Sequence, residues 1–190
     1  MSDLLSYNTI IVNEKVRVLF NEYALLDPDG RQIGCIKEGH SIWRFLISRA
    51  YSPTSLMLFD ADGNLVARMK KGWSFLHPTF LLYDHQGVFL CTIRKKFTLI
   101  RPKYQFFDPE GNEKASLEGN WIAWEFSIVD DKGNIIASIN KKWKGLMHEM
   151  FTTADKYQVA IEPSVTDAKM RTALLMASCT IDLICKEDNN

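Results

Sequence analysis

Charge of one sign is the first thing this sequence lacks. Its 190 residues hold 23 Lys and Arg against 23 Asp and Glu, so no global field favours nucleic acid or membrane, and no direct nucleic-acid partner is expected. A leader is also missing: MSDLLSYNTIIVNEK has neither the basic start nor the long apolar core of a signal peptide, and no N-x-S/T sequon occurs. A cytoplasmic location is the expectation. The four cysteines, Cys35, Cys91, Cys179 and Cys185, show no C-x-x-C spacing and read as reduced core residues. No Pro-, Gly- or Ser-rich linker divides the chain, which suits a single domain over 1–190.

Catalytic signatures are absent as well. The sequence contains no P-loop, G-x-G-x-x-G or G-x-S-x-G, and HEMFT at 148–152 misses the H-E-x-x-H zinc helix because its fifth residue is Thr152. His40, His77, His85 and His148 are scattered, with His85 at a turn, and read as structural or solvent-exposed. DADGN at 60–64 resembles the start of a calcium loop, but position twelve is Lys71 where the loop needs a bidentate Glu. A non-enzymatic protein with no catalytic residues, metal or other cofactor is expected.

What the chain does contain is one phrase written five times: LLDPDGRQIGCIKE, LFDADGNLVARMKK, LYDHQGVFLCTIRKK, FFDPEGNEKASLEG and IVDDKGNIIASINKK. Each has an apolar pair, Asp, two variable residues, Gly and a second apolar run. Asp can accept hydrogen bonds from backbone just ahead of it, and Gly accepts a positive φ. Asp27/Gly30, Asp60/Gly63, Asp84/Gly87, Asp108/Gly111 and Asp130/Gly133 are therefore expected hairpin turns, with a bulge at the glycine. Flanking runs alternate, as in Leu65, Ala67 and Met69 against Val66, Arg68 and Lys70. The Asp-to-Asp spacings of 33, 24, 24 and 22 indicate one supersecondary unit used repeatedly. Five hairpins give ten strands, and KVRVLF at 15–20 and YQVAI at 157–161 supply more.

TDAKMRTALLMASCTIDLIC, 166–185, supplies a helix with Thr166 as N-cap and apolar or small residues nearly all round from Met170 to Ile184. Such a helix must be buried on every side. A bilayer span needs about 20 apolar residues, and Asp182 interrupts this shorter run. The expected fold is α+β but predominantly β: a closed antiparallel β-barrel of about twelve strands, wrapped around a buried hydrophobic C-terminal helix.

One pattern suggests a site. The second strands of three hairpins end in Lys70 and Lys71, in Arg94, Lys95 and Lys96, and in Lys141, Lys142 and Lys144. With the turns gathered at one end, these cations converge on the opposite rim, suited to anionic lipid headgroups at about 1 kcal/mol per charge. Edge protection and solubility are the competing explanation.

The segment 139–185, INKKWKGLMHEMFTTADKYQVAIEPSVTDAKMRTALLMASCTIDLIC, resembles the end of the phospholipid scramblase family: a K-x-W-x-G segment, an acidic and aromatic stretch, a strand ending in Pro, and an apolar helix containing Ile-Asp. NEYALLDPDGRQIG at 21–34 and the D-x-x-G hairpins extend the likeness, shared with the LURP-one-related proteins, over about residues 15–185. The resemblance implies the tubby C-terminal-like fold, a twelve-stranded barrel closed around a hydrophobic helix. It also implies association with anionic phospholipid, phosphatidylserine or phosphoinositide, at the inner face of the plasma membrane, with other proteins as further partners. Lipid scrambling, or a protein-interaction or nuclear regulatory role, are the alternatives. Animal scramblases carry a Pro-rich extension and a palmitate-accepting cysteine cluster that this sequence lacks, which implies reversible attachment. Their calcium segment corresponds to TTADKYQVAIEPS, where Thr153 replaces an acidic residue and Lys156 a neutral one, leaving Asp155 and Glu162 as hard ligands.

Overall fold

The computed structural model describes residues 3–16, 21–39, 53–72, 78–96, 103–120, 123–141 and 156–187, and side chains within them except at 16, 21 and 182–187. The predicted barrel is there. Strands β1 (Thr9–Val16), β2 (Asn21–Leu26), β3 (Gln32–Glu38), β4 (Thr54–Asp60), β5 (Leu65–Lys71) and β6 (Thr79–Asp84) continue into β7 (Phe89–Lys96), β8 (Lys103–Phe107), β9 (Glu113–Asn120), β10 (Glu125–Asp130), β11 (Ile135–Asn140) and β12 (Lys156–Ile161). Each pairs antiparallel with the next, and β1 pairs β12, Ile10 opposite Val159, so no edge is left open. The closing strand lies earlier than KVRVLF predicts: Ile10 and Val12 face the core, and 17–20 fall outside the described residues.

All five turns form as expected at one end, the tip end. In each, Gly adopts φ between 83 and 87° and donates to the Asp carbonyl at 3.0–3.1 Å. The Asp carboxylate accepts the amide four residues on, as in Asp60 Oδ1 from Asn64 at 2.8 Å and Asp130 Oδ1 from Asn134 at 2.8 Å. The bulge at the glycine forms as expected: each left-handed Gly closes the turn, and the Asp amide donates to the carbonyl of the residue after that Gly, as Asp60 does to Asn64 at 3.0 Å. A second bulge falls three residues after the glycine, at Ile33, Val66, Leu90, Lys114 and Ile136, each skipped in the register. A bulge turns two successive side chains toward the same face, so Ile33 with Gly34, Leu90 with Cys91, and Ile136 with Ala137 are buried together.

The helix α1 (Ala168–Glu187) enters at the tip end. Twelve strands about 4.8 Å apart and tilted about 40° make a cylinder about 24 Å across, and inward side chains narrow it to about the 10–12 Å of one helix. Leu174, Leu175, Met176 and Cys179 are accordingly 0% exposed on every side of α1. No helix among the described residues is long and apolar enough to cross a membrane. Its N-cap is Asp167 rather than Thr166, because the Asp167 carboxylate accepts the amides of Lys169 (3.2 Å) and Met170 (3.3 Å). Arg171 ties the entrance shut. Buried at 5% exposure, its guanidinium donates to the carbonyls of Leu5 (2.5 Å), Tyr7 (2.5 Å) and Val165 (3.0 Å) and to Asn8 Oδ1 (3.1 Å). Nothing in the sequence pattern singles this arginine out.

Candidate functional site

Odd-numbered strands run from the tip end to the opposite end of the barrel, the rim end, and even-numbered strands return. This topology brings the predicted cations to the rim half of the barrel, but in three different settings. Lys70 and Arg94 face outward and are exposed, and each lies over an aromatic ring nearer the tips: Lys70 Nζ is 5.8 Å from the Tyr83 centroid and Arg94 is 5.3 Å from that of Phe107. They line the outer wall. Lys71 is buried at 4% exposure, continuing the inward alternation of Ala67 and Met69. Its position was legible from the two-residue period and removes it from any exposed surface. Lys95, Lys96 and Lys141 stand at the rim itself, Lys96 fully exposed and paired across the ladder with Lys103, another cation. Lys142, Lys144 and Asp155 lie outside the described residues.

Sequence reasoning missed three further rim cations, Lys15, Lys103 and Lys156, each a strand-end residue, and the carboxylates among them. Lys103 pairs with Glu118, and Glu14 and Glu38 are buried inside the rim mouth. The tip end has the opposite character: Asp27, Asp60, Asp84, Asp108 and Asp130 sit side by side around it. Hydrogen bonds from the Asn134 side chain and backbone hold the Asp130 carboxyl below the ordinary 3.8. A chain of zero net charge is therefore strongly bipolar along the barrel axis.

Beside the rim cations the backbone is strained. Trp124 has φ 55°, unique among the described non-glycine residues, a conformation that costs of order 1–3 kcal/mol for such a residue. Asn120 Oδ1 accepts the Ala123 amide at 3.1 Å, and the Lys141 amide donates to the Trp124 carbonyl at 3.3 Å. The indole packs on Tyr157 (centroids 5.3 Å, 42°) and edge-on against Phe126 (5.6 Å, 83°), with Lys141 Nζ over it at 4.3 Å. Gly119 admits Phe126, whose ring a Cβ at 119 would strike. Hairpin position and a helical period carry no trace of this arrangement.

Burial pushes the Cys91 thiol up to about 12, and Cys179 is equally enclosed, whereas Cys35 is half-buried on the outer face and not in the core as expected. The side chain of Cys185 is outside the described set. Among the described residues no three metal-capable side chains cluster, and Glu162 is exposed. A cleft of about 520 Å³ opens at the tip end between α1 and two hairpins. Its charges are mixed, Lys169 beside Asp60 and Asp84, and both aspartates already accept turn amides.

The family model described as Scramblase matches residues 4–187 of this sequence. The chain belongs to the scramblase family. It is similar to the altered inheritance rate of mitochondria protein 25 of Saccharomyces cerevisiae, 23% identical over 195 residues. The match covers 84% of this chain but spans 60% of the length of that yeast protein. An X-ray structure of a protein from Arabidopsis thaliana superposes with a TM-score of 0.55 at 11% identity, covering 96% of this scramblase-family chain and 92% of the plant chain. At that identity the likeness establishes the shared barrel fold.

Proposed function

We propose that this scramblase-related protein is a non-enzymatic, reversible binder of anionic phospholipid that meets the bilayer with its rim end. The observation that carries the reading is the segregation of charge along the barrel axis. Lys96, exposed, and Lys95 and Lys141, half-buried, stand at the end away from the five tip aspartates. A negatively charged surface attracts the rim and repels the tips, so the field orients the molecule before contact. Phosphatidylserine and phosphoinositides at the cytoplasmic face of the plasma membrane are the substrates of this recognition. Contact is calcium-independent, since two carboxylates beside a lysine lack the ligand charge of a sensor site.

Lipid translocation is the second reading, favoured by family membership. Because α1 fills the barrel interior, a headgroup path would run along the outer wall rather than through the lumen. The deciding experiment is vesicle co-sedimentation on phosphatidylserine-containing and purely phosphatidylcholine vesicles, with calcium or chelator. Preferential binding to the anionic vesicles, weakened by salt as the Debye length falls from about 10 Å at 0.1 M to about 3 Å at 1 M, supports the proposal. Equal sedimentation with both vesicle types, or strict dependence on calcium, overturns it. Dye-lipid flipping in proteoliposomes decides the second reading.

A further inference from the structure

At the tips, left-handed backbone is occupied by glycine, which leaves nothing at the surface. At the rim it is occupied by tryptophan. A glycine at 124 would adopt the same φ without strain, so what the strained residue contributes is its indole. That indole is half-buried, packed on the inner-wall Tyr157 and Phe126 with an ammonium over it. Among the described residues three other cation–aromatic contacts, Lys37 on Phe59, Lys70 on Tyr83 and Arg94 on Phe107, use Phe or Tyr on the outer wall at 5.3–5.8 Å. Lys141 on Trp124 is the tightest of the four and stands at the rim end.

We infer that Trp124 and Lys141 form an interfacial anchor for an anionic bilayer, with Lys141 covering the indole in the free protein and releasing it at the membrane. The inference rests on the lipid-binding reading and names the contact that makes it. An ammonium over a ring face is held by a quadrupole, whereas a lipid phosphate offers a full opposite charge and a charge-assisted hydrogen bond. Near the headgroups Lys141 therefore changes partner. The exposed indole, apolar in body and polar at its N–H, then occupies the headgroup layer where tryptophan concentrates. The hydrogen bonds from Ala123 and Lys141 hold the turn in place during the exchange, so the step needs side-chain motion alone.

Trp124→Gly is the discriminating variant, because it removes the ring and relieves the backbone. Its thermal midpoint should stay near that of wild type, while its partition onto phosphatidylserine-containing vesicles should weaken about fivefold, the loss of one interfacial aromatic. Trp124→Phe isolates the indole emission by difference from wild type, and that difference spectrum should shift to the blue when the same vesicles are added. Wild-type protein that prefers anionic vesicles, with Trp124→Gly binding them equally well or a difference spectrum that does not move, refutes the anchor and leaves the lipid reading standing. Wild-type protein with no preference for anionic vesicles refutes both. If Trp124→Gly does not fold, the difference spectrum alone decides.

Discussion

The two ends of the barrel are built from the same hairpins and differ in what each spends its residues on. At the tips, five aspartates fold their carboxylates back onto turn amides, five glycines take the left-handed backbone, and Arg171 locks the entering helix to the segment that precedes β1. Charge there is turned inward and serves order. At the rim, Lys96 is exposed, like charges sit side by side at Lys96 and Lys103, and a bulky residue occupies strained backbone. Folding alone favours none of these. The contrast teaches that lesions at the tips and along the helix should be read in stability, and lesions at the rim in binding.

The largest effect is expected from Leu175→Asp, which places a carboxylate where exposure is 0%; an uncompensated buried charge should leave no soluble folded protein, and a cooperative thermal transition in the variant would break the account. Arg171→Ala comes next. It strands the buried Leu5 carbonyl, at about 1–3 kcal/mol, and the part-buried carbonyls of Tyr7 and Val165, so the midpoint should fall by about 6 °C or more by circular dichroism, while the folded fraction still sediments with anionic vesicles. Gly133→Ala should cost about 1 kcal/mol, seen as a small shift in denaturation midpoint. Its φ is 85° and no atom lies within 4 Å of the added Cβ, so backbone strain is isolated from packing. The smallest effect is acid. The folded Asp130 carboxyl lies below 3.8, so its contribution to stability is present above that value and is lost as pH falls through the lower folded one. The protection factors of the Lys132 and Asn134 amides, which donate to it, should fall as pH drops through that window and hold steady above it.

Much of the fold was legible because a repeated hairpin states its turn, strand period and approximate length five times over, and an all-round apolar helix has few places to go. The bulge at the glycine was legible from the D-x-x-G turn, whereas the second bulge three residues on was not, because its position depends on which side chains must face α1, a tertiary demand. Lys71 was put on the exposed rim although Ala67 and Met69 already point its way inward. Arg171 and Trp124 were not legible at all. An arginine in the first turn of a helix usually reaches water, and left-handed backbone at a tryptophan is imposed by Asn120, Lys141 and Tyr157, which come from three different strand ends.

The central claim, that rim charge serves anionic lipid and not the fold, is tested most directly by reversing Lys96 and Lys141 together to Glu and measuring melting and vesicle binding on the same preparation. Both side chains stand at the rim on well-separated strands, and exposed charges and cation–aromatic contacts are each worth about 1 kcal/mol or less. The account predicts a midpoint within about 4 °C of wild type together with a several-fold loss of binding to phosphatidylserine-containing vesicles. Unchanged binding at unchanged stability would contradict it and leave the lysines as solubility devices.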